Sequence, residues 1–197
     1  MKKKKVIITL SLITISIVVF LIIALFGKAK INSTAKWIKD NGGTYSATIP
    51  KWVPDFAVSA HKGLFGDNIV EVGINNEKLT DIEPLKNLSK LEFLTIQFTS
   101  VESLTPLSNN FNLEGLLLSD TLVKDLSPLA SLDKLSVLDI SNTPVEDLSP
   151  LYNLKSLKEL TVSEYHFKDA QIKEFQKNIP NCKIIFNDQP SMRIDRL

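Results

Sequence analysis

The sequence predicts an α/β solenoid: a right-handed coil with a short parallel concave sheet, an N-terminal cap, a C-terminal helix cap and one preceding N-terminal transmembrane helix. Three observations carry this reading. Pro84, Pro106, Pro128 and Pro150 are each followed by leucine and stand 22 residues apart. Between them the series Leu91, Leu94, Ile96, Thr99, Val101, Leu104 returns as Leu113, Leu116, Leu118, Thr121, Val123, Leu126, and again as Leu135, Leu138, Ile140, Thr143, Val145, Leu148. Units of this length cannot bury their apolar face alone, so they stack on one another and present function on an extended surface. The third observation is the stretch from Val6 to Phe26, which holds no charged residue, proline or glycine.

Those 21 residues make a helix about 31 Å long, against a hydrocarbon core of about 30 Å. Residues 1–27 are therefore expected to be a transmembrane signal-anchor that holds the chain in the membrane through residues 6–26. A cleaved signal peptide, leaving a secreted protein, is the competing reading, because Gly27-Lys28-Ala29 offers small residues for cleavage. The apolar run exceeds the ~7–15 residues usual in such a peptide. Lys2 to Lys5 and the α-amino group crowd one end of the run more densely than Lys28, Lys30, Lys36 and Lys39 crowd the other. The positive-inside rule then puts the repeats outside the cytoplasm, on a single-pass protein of the cell membrane.

Residues 28–34 read as a polar tether and 35–66 as the N-terminal cap, since an open solenoid exposes its core and needs a dissimilar cover. Within that cap a short helix around Trp37 and Ile38 stops at Asn41-Gly42-Gly43, where glycine supplies the left-handed turn. Thr44 to Ile49 leans toward strand. Trp37, Trp52, Phe56 and Phe65 are expected to be cover rather than a ligand box. The repeat domain with its C-terminal helix cap spans 67–186, beginning with a degenerate unit built on Ile69, Val72, Ile74 and Leu79. Asp169 to Asn178 places Ile172, Phe175 and Ile179 at helical spacing, Pro180 stops the helix, and Cys182 to Phe186 forms a last strand. Residues 187–197 read as a loose polar tail.

Written out, the unit is L-x-x-L-x-[LI]-x-x-T-x-V-x-x-L-x-P-L followed by five variable positions, and over roughly 64–186 it resembles the 22-residue leucine-rich repeats of internalin-like bacterial proteins. That family usually carries asparagine where this chain has Thr99, Thr121 and Thr143, so a standard asparagine ladder is not expected here. The resemblance implies a binding scaffold, while its receptor specificity does not transfer, because that resides in face residues the repeat leaves free.

Strand alternation points Leu94 and Ile96 inward and their neighbours outward. Three outward rows result: Glu71, Phe93, Gly115, Val137, Glu159; then Gly73, Thr95, Leu117, Asp139, Thr161; then Asn75, Gln97, Ser119, Ser141, Ser163. The candidate partner-binding residues are Glu71, Phe93, Thr95, Gln97, Leu117, Val137, Asp139 and Glu159, an apolar centre with an acidic and polar rim suited to a protein or peptide ligand. The plainer reading of Phe93, Leu117 and Val137 is cross-strand stacking of β-formers.

Other chemistries find no support in the sequence. Removing Lys2 to Lys5 from 23 basic residues leaves 19 against 22 acids, about −3, which argues against nucleic acid. His61 and His166 are too far apart in the chain to suggest a metal cluster. Cys182 is the single cysteine and reads as a small buried group. Asp81, Asp125 and Asp147 recur at one repeat position, which fits turn capping better than metal binding. No catalytic constellation, phosphate loop, cofactor site or small-molecule substrate is expected. The chain is thus predicted to be a non-enzymatic interaction module, with a structural scaffold subunit of a membrane complex as the alternative.

Overall fold

The computed structural model describes residues 33–48, 68–164 and 166–187. The apolar segment 6–26 and its anchor 1–27, most of the tether, residues 49–66 of the cap with Trp52, Phe56, His61 and Phe65, residue 67, and residues 188–197 lie outside the described residues. Among the described residues no helix is long and apolar enough to cross a membrane.

Helix α1 spans 33–40. It begins before the expected cap boundary: Ser33 and Thr34, assigned to the tether from sequence, are helical. Thr34 is buried, with its hydroxyl donating to the Pro84 carbonyl oxygen at 3.4 Å. The stop falls where glycine predicts it. Gly42 adopts φ +74°, and the Gly43 N–H returns to the Ile38 carbonyl. A Cβ on Gly43 would stand 2.6 Å from Ile74 Cγ1 and 2.8 Å from the Gly73 carbonyl oxygen, so only glycine lets the chain pass this close to the first repeat.

Seven strands follow in sequence order across one sheet: β1 Thr44–Thr48, β2 Asn68–Gly73, β3 Phe93–Thr95, β4 Gly115–Leu117, β5 Val137–Asp139, β6 Glu159–Ser163 and β7 Lys183–Asn187. From β2 to β7 every neighbouring pair is parallel. The inward row Val72, Leu94, Leu116, Leu138, Leu160 is in register throughout, and all five side chains are buried. The leucines and valines that end each unit complete the core. Leu85, Leu107, Leu129 and Leu151, each following one of the four prolines, are fully enclosed.

Proline's rigidity suggests that these four residues hold the backbone away from helix where the chain turns, but they open short helical turns instead. Each lies in the first turn of a short 3-10 helix: Glu83–Asn87, Thr105–Leu107, Ser127–Leu129 and Ser149–Leu151. Proline's fixed φ and missing N–H suit that opening position, where an N–H has no partner within the turn. The aspartates two residues upstream cap these turns. Asp81, Asp125 and Asp147 each accept a backbone N–H, from Glu83, Ser127 and Ser149, at 2.8 Å. Ser103 substitutes in the remaining unit, accepting from the Thr105 N–H at 3.3 Å.

Two of the three threonines at the usual asparagine position bond within their own turn, while the buried Thr121 Oγ1 has no partner among the described residues. Thr99 Oγ1 donates to the Ile96 carbonyl at 2.9 Å and Thr143 Oγ1 to that of Ile140 at 2.6 Å. Neighbouring units are joined there by backbone instead, through Phe98 N–H to the Ser119 carbonyl and Asp120 N–H to that of Ser141, both 3.1 Å. At the C-terminal end, helix α2 spans Asp169–Asn178 and seals the stack with Phe175 and Ile179, both buried. Gln171 Nε2 ties its start to the Glu146 carbonyl at 2.9 Å, and Lys155 Nζ reaches the Asn178 carbonyl at its other end at the same distance. The last strand begins and ends one residue later than expected, so Cys182 precedes it and Asn187 belongs to the sheet rather than the tail.

Candidate partner-binding face

The parallel register assembles the outward rows as the alternation predicts. Glu71, Phe93, Gly115, Val137 and Glu159 are successive partners, as are Gly73, Thr95, Leu117, Asp139 and Thr161. With strands about 4.8 Å apart, Phe93, Leu117 and Val137 come together on three adjacent strands, Glu71 one strand to one side and Glu159 one strand to the other.

Phe93 dominates this surface, with 46% of it exposed. Its ring lies across Gly115, where a Cβ would meet Phe93 Cδ1 at 2.6 Å and Cε1 at 3.0 Å. The glycine is thus a seat for the aromatic ring. Leu117 and Val137 are half-buried beside it.

The polar positions are less free than alternation alone suggests. Ser119 and Ser141, expected to face outward, are buried at 6% and 0% exposure. Gln97 Nε2 donates to Ser119 Oγ at 2.6 Å, while Ser141 gives both its N–H and its hydroxyl to Asp139 Oδ1, at 2.9 and 2.7 Å. Asn187 Nδ2 in turn reaches Ser141 Oγ at 3.1 Å. Gln97 and Asp139 therefore brace the strand ends. Thr95 is half-buried between them and the apolar centre, Glu159 is half-buried, and Glu71 is exposed, accepting from Ser46 Oγ at 3.1 Å.

Several participants escape a repeat-based reading. β1 and β7 add Ser46, Lys183 and Ile185 to the edges of the face, and Lys183 pairs in register with Glu159. Both strands lie outside the repeated units, so counting from the prolines cannot reach them. Just past the strands, Phe98, Asp120 and Asn142 share a left-handed conformation, φ +55°, +58° and +54°. Asn and Asp tolerate that region, whereas a phenylalanine there is strained. The 22-residue spacing of these three holds a signal, but their side chains differ too much to announce it.

No group of three or more His, Cys, Asp or Glu side chains that could hold a metal occurs among the described residues. His166 Nε2 lies 2.6 Å from the Val145 carbonyl, a local structural bond. Burial, with Glu159 adding to it, pushes the Cys182 thiol from 9.0 up to about 11, opposite to the shift a nucleophile needs.

Residues 112–153 match the family described as Leucine Rich repeats (2 copies), so the repeated units are leucine-rich repeats. No curated protein matches the chain. Among solved structures, the chain is similar to a leucine-rich repeat protein of Leptospira interrogans, at 23% identity and TM-score 0.53 over 57% of this chain and 30% of that one. It is also similar to the leucine-rich repeat ectodomain of the receptor kinase SOBIR1 from Arabidopsis thaliana, at 18% identity and TM-score 0.56 over 80% and 91% of the two chains. An internalin from Listeria monocytogenes matches at 26% identity and TM-score 0.49, over 57% of this chain and 32% of that one. The chain spans about a third of the length of the Listeria and Leptospira proteins. Folds of this class are typical of protein–protein interaction modules.

Proposed function

We propose that this chain, a leucine-rich repeat protein with 22-residue units of the internalin-like kind, acts as a non-enzymatic protein-binding module through the open face of its sheet. The observation that supports this best is Phe93. A large aromatic side chain is held on the outer surface of a parallel sheet, seated on Gly115 and bordered by Leu117 and Val137. Interfaces gather their energy on such aromatic anchors, with polar groups around them. The half-buried Thr95 and Glu159, the exposed Glu71, and the braced Gln97 and Asp139 supply that rim.

In this reading the ligand is a protein or peptide, and residues 6–26 hold the module at the cell membrane with its repeats outside the cytoplasm. Two measurements separate it from its alternatives. Washing membranes with alkali leaves an anchored protein in the pellet and releases a secreted or peripheral one. Cross-linking in the native cell followed by the double change Phe93→Ser plus Leu117→Ser should remove the captured partner while the domain still folds and unfolds in one cooperative transition, its midpoint lowered only by the loss of two half-buried side chains. Retention of the partner by a folded double variant would eliminate this face. Loss of the partner only on deleting residues 1–27 would favour a scaffold that acts through its N-terminal segment.

A further inference from the structure

We propose that the Phe93 end of this face takes a basic side chain of the partner, an arginine or lysine on an otherwise apolar segment; this rests on the protein-binding reading above. Charge placement around Phe93 favours such a group. At the entry to the strands, backbone bonds stack positions 70, 92, 114, 136 and 158 in one row: Glu92 N–H to Val70, Glu114 N–H to Glu92, Ser136 N–H to Glu114 and Lys158 N–H to Ser136, at 2.7 to 2.8 Å. This row places the exposed Glu92 and Glu114 in neighbouring units, just ahead of β3 and β4, immediately before Phe93 and before the Gly115 that seats its ring. The exposed Glu71 is Phe93's register partner on the other side.

Three exposed acidic residues thus stand beside Phe93 in register or in sequence, or beside the Gly115 that seats its ring. The described ion pairs are Lys36–Asp40 and Lys86–Glu83, and neither includes them. Lys90 and Lys134 precede this row by two positions, Lys134 Nζ donating to Asn112 Oδ1 at 2.7 Å, while Lys158 continues the row and Lys183 pairs with Glu159 at the far end. Like charges on directly neighbouring strand positions destabilise a sheet, so Glu92 above Glu114 is unfavourable in the free protein. A guanidinium or ammonium group laid on the Phe93 ring relieves that repulsion, gains the attraction of a cation to the ring face, and offers hydrogen bonds to the carboxylates. Leu117 and Val137 then receive the apolar neighbours of that side chain.

The test titrates the full chain against a fluorescein-labelled peptide of alternating leucine and arginine, and against the same peptide with glutamate for arginine, by fluorescence anisotropy. The arginine peptide should bind at least tenfold more tightly. That preference should shrink about tenfold in the triple variant Glu71→Gln, Glu92→Gln, Glu114→Gln, and fall in Phe93→Ser. The control Glu146→Gln plus Glu174→Gln, which removes exposed acids outside the face, should leave it intact. Equal affinity for the two peptides, or an equal loss in the control variant, overturns the proposal. If the peptides are not distinguished while the Phe93→Ser plus Leu117→Ser double variant still loses its cross-linked partner, the binding face stands and only its preference for a cation falls. If that double variant keeps the partner, the binding face itself falls.

Discussion

Replacing Gly115 by alanine tests whether Phe93 is seated on the sheet or merely beside it. Gly115 is not among the residues with positive φ, so the backbone accepts a side chain and the effect is steric alone. The new Cβ would lie 2.6 Å from Phe93 Cδ1, closer than real contacts allow, and the ring must swing off. Phe93 is 46% exposed, so about half of its surface is covered. Full burial of such a side chain contributes about 1.5–3 kcal/mol, and losing the covered half costs roughly 0.8–1.5 kcal/mol. Against this, alanine is favoured over glycine within a strand by about 0.5–1 kcal/mol.

The single variant Gly115→Ala should therefore change stability little, between neutral and about 1 kcal/mol destabilised. In a Phe93→Ala background no ring is left to displace, and the same change should stabilise by about 0.5–1 kcal/mol. A double-mutant cycle followed by urea unfolding should give a coupling of about 1 kcal/mol, with unchanged denaturant slopes. Equal effects of Gly115→Ala in both backgrounds, within about 0.3 kcal/mol, would refute the seating of the ring.

Other substitutions probe the core and its irregular positions. Leu116 is fully buried in the inward row, and Leu116→Ala should cost about 2–5 kcal/mol in urea unfolding; a loss under 1 kcal/mol would contradict a packed solenoid core. Asn110 occupies the position held by the buried leucines 88, 132 and 154 in the other units; its Nδ2 donates to the Leu88 and Leu85 carbonyls at 3.0 and 3.4 Å, but its buried Oδ1 has no partner. Both carbonyls also accept backbone N–H groups, so Asn110→Leu should leave them paired and stabilise the fold by about 1 kcal/mol, a gain that a calorimetric midpoint would show or deny. Cys182 keeps its proton in the folded chain up to about pH 11, whereas the unfolded chain releases it near 9.0. The folded state then binds more protons across that window, so the wild type should lose stability relative to Cys182→Ala as pH rises from about 9 to 11; parallel curves would argue against a thiol protected by burial.

The core was readable because packing repeats. Each inward leucine meets the same environment 22 residues later, and a one-position slip would turn the whole apolar row outward, so the register of β2 to β6 could be counted from the prolines. The end elements had no such ruler. Helix α1 takes in Ser33 and Thr34 because the Thr34 hydroxyl finds the Pro84 carbonyl, a contact between residues fifty positions apart that no local pattern encodes. Alternation also misjudged Ser119 and Ser141. It gives the direction of a side chain at a strand position but not whether Gln97, Asp139 and Asn187 fold over it.

Function is written in a different register of the same repeat. Inward positions are nearly uniform because each must fill the same space, whereas outward positions are free of that demand and differ from unit to unit. Information about a partner can therefore reside only where the units disagree. Some of these disagreements fall on two neighbouring units: Phe93 where the next unit has Gly115, Glu92 and Glu114 where the following units have Ser136 and Lys158, and a left-handed Phe98 where its successors are Asp120 and Asn142. Stability does not demand these choices. The neighbouring glutamates oppose it, the left-handed phenylalanine is strained, and Phe93 leaves 46% of its surface in water. Residues that work against the fold, gathered at one end of one face, are the reason the proposed contact surface is put there and given a negative, aromatic character.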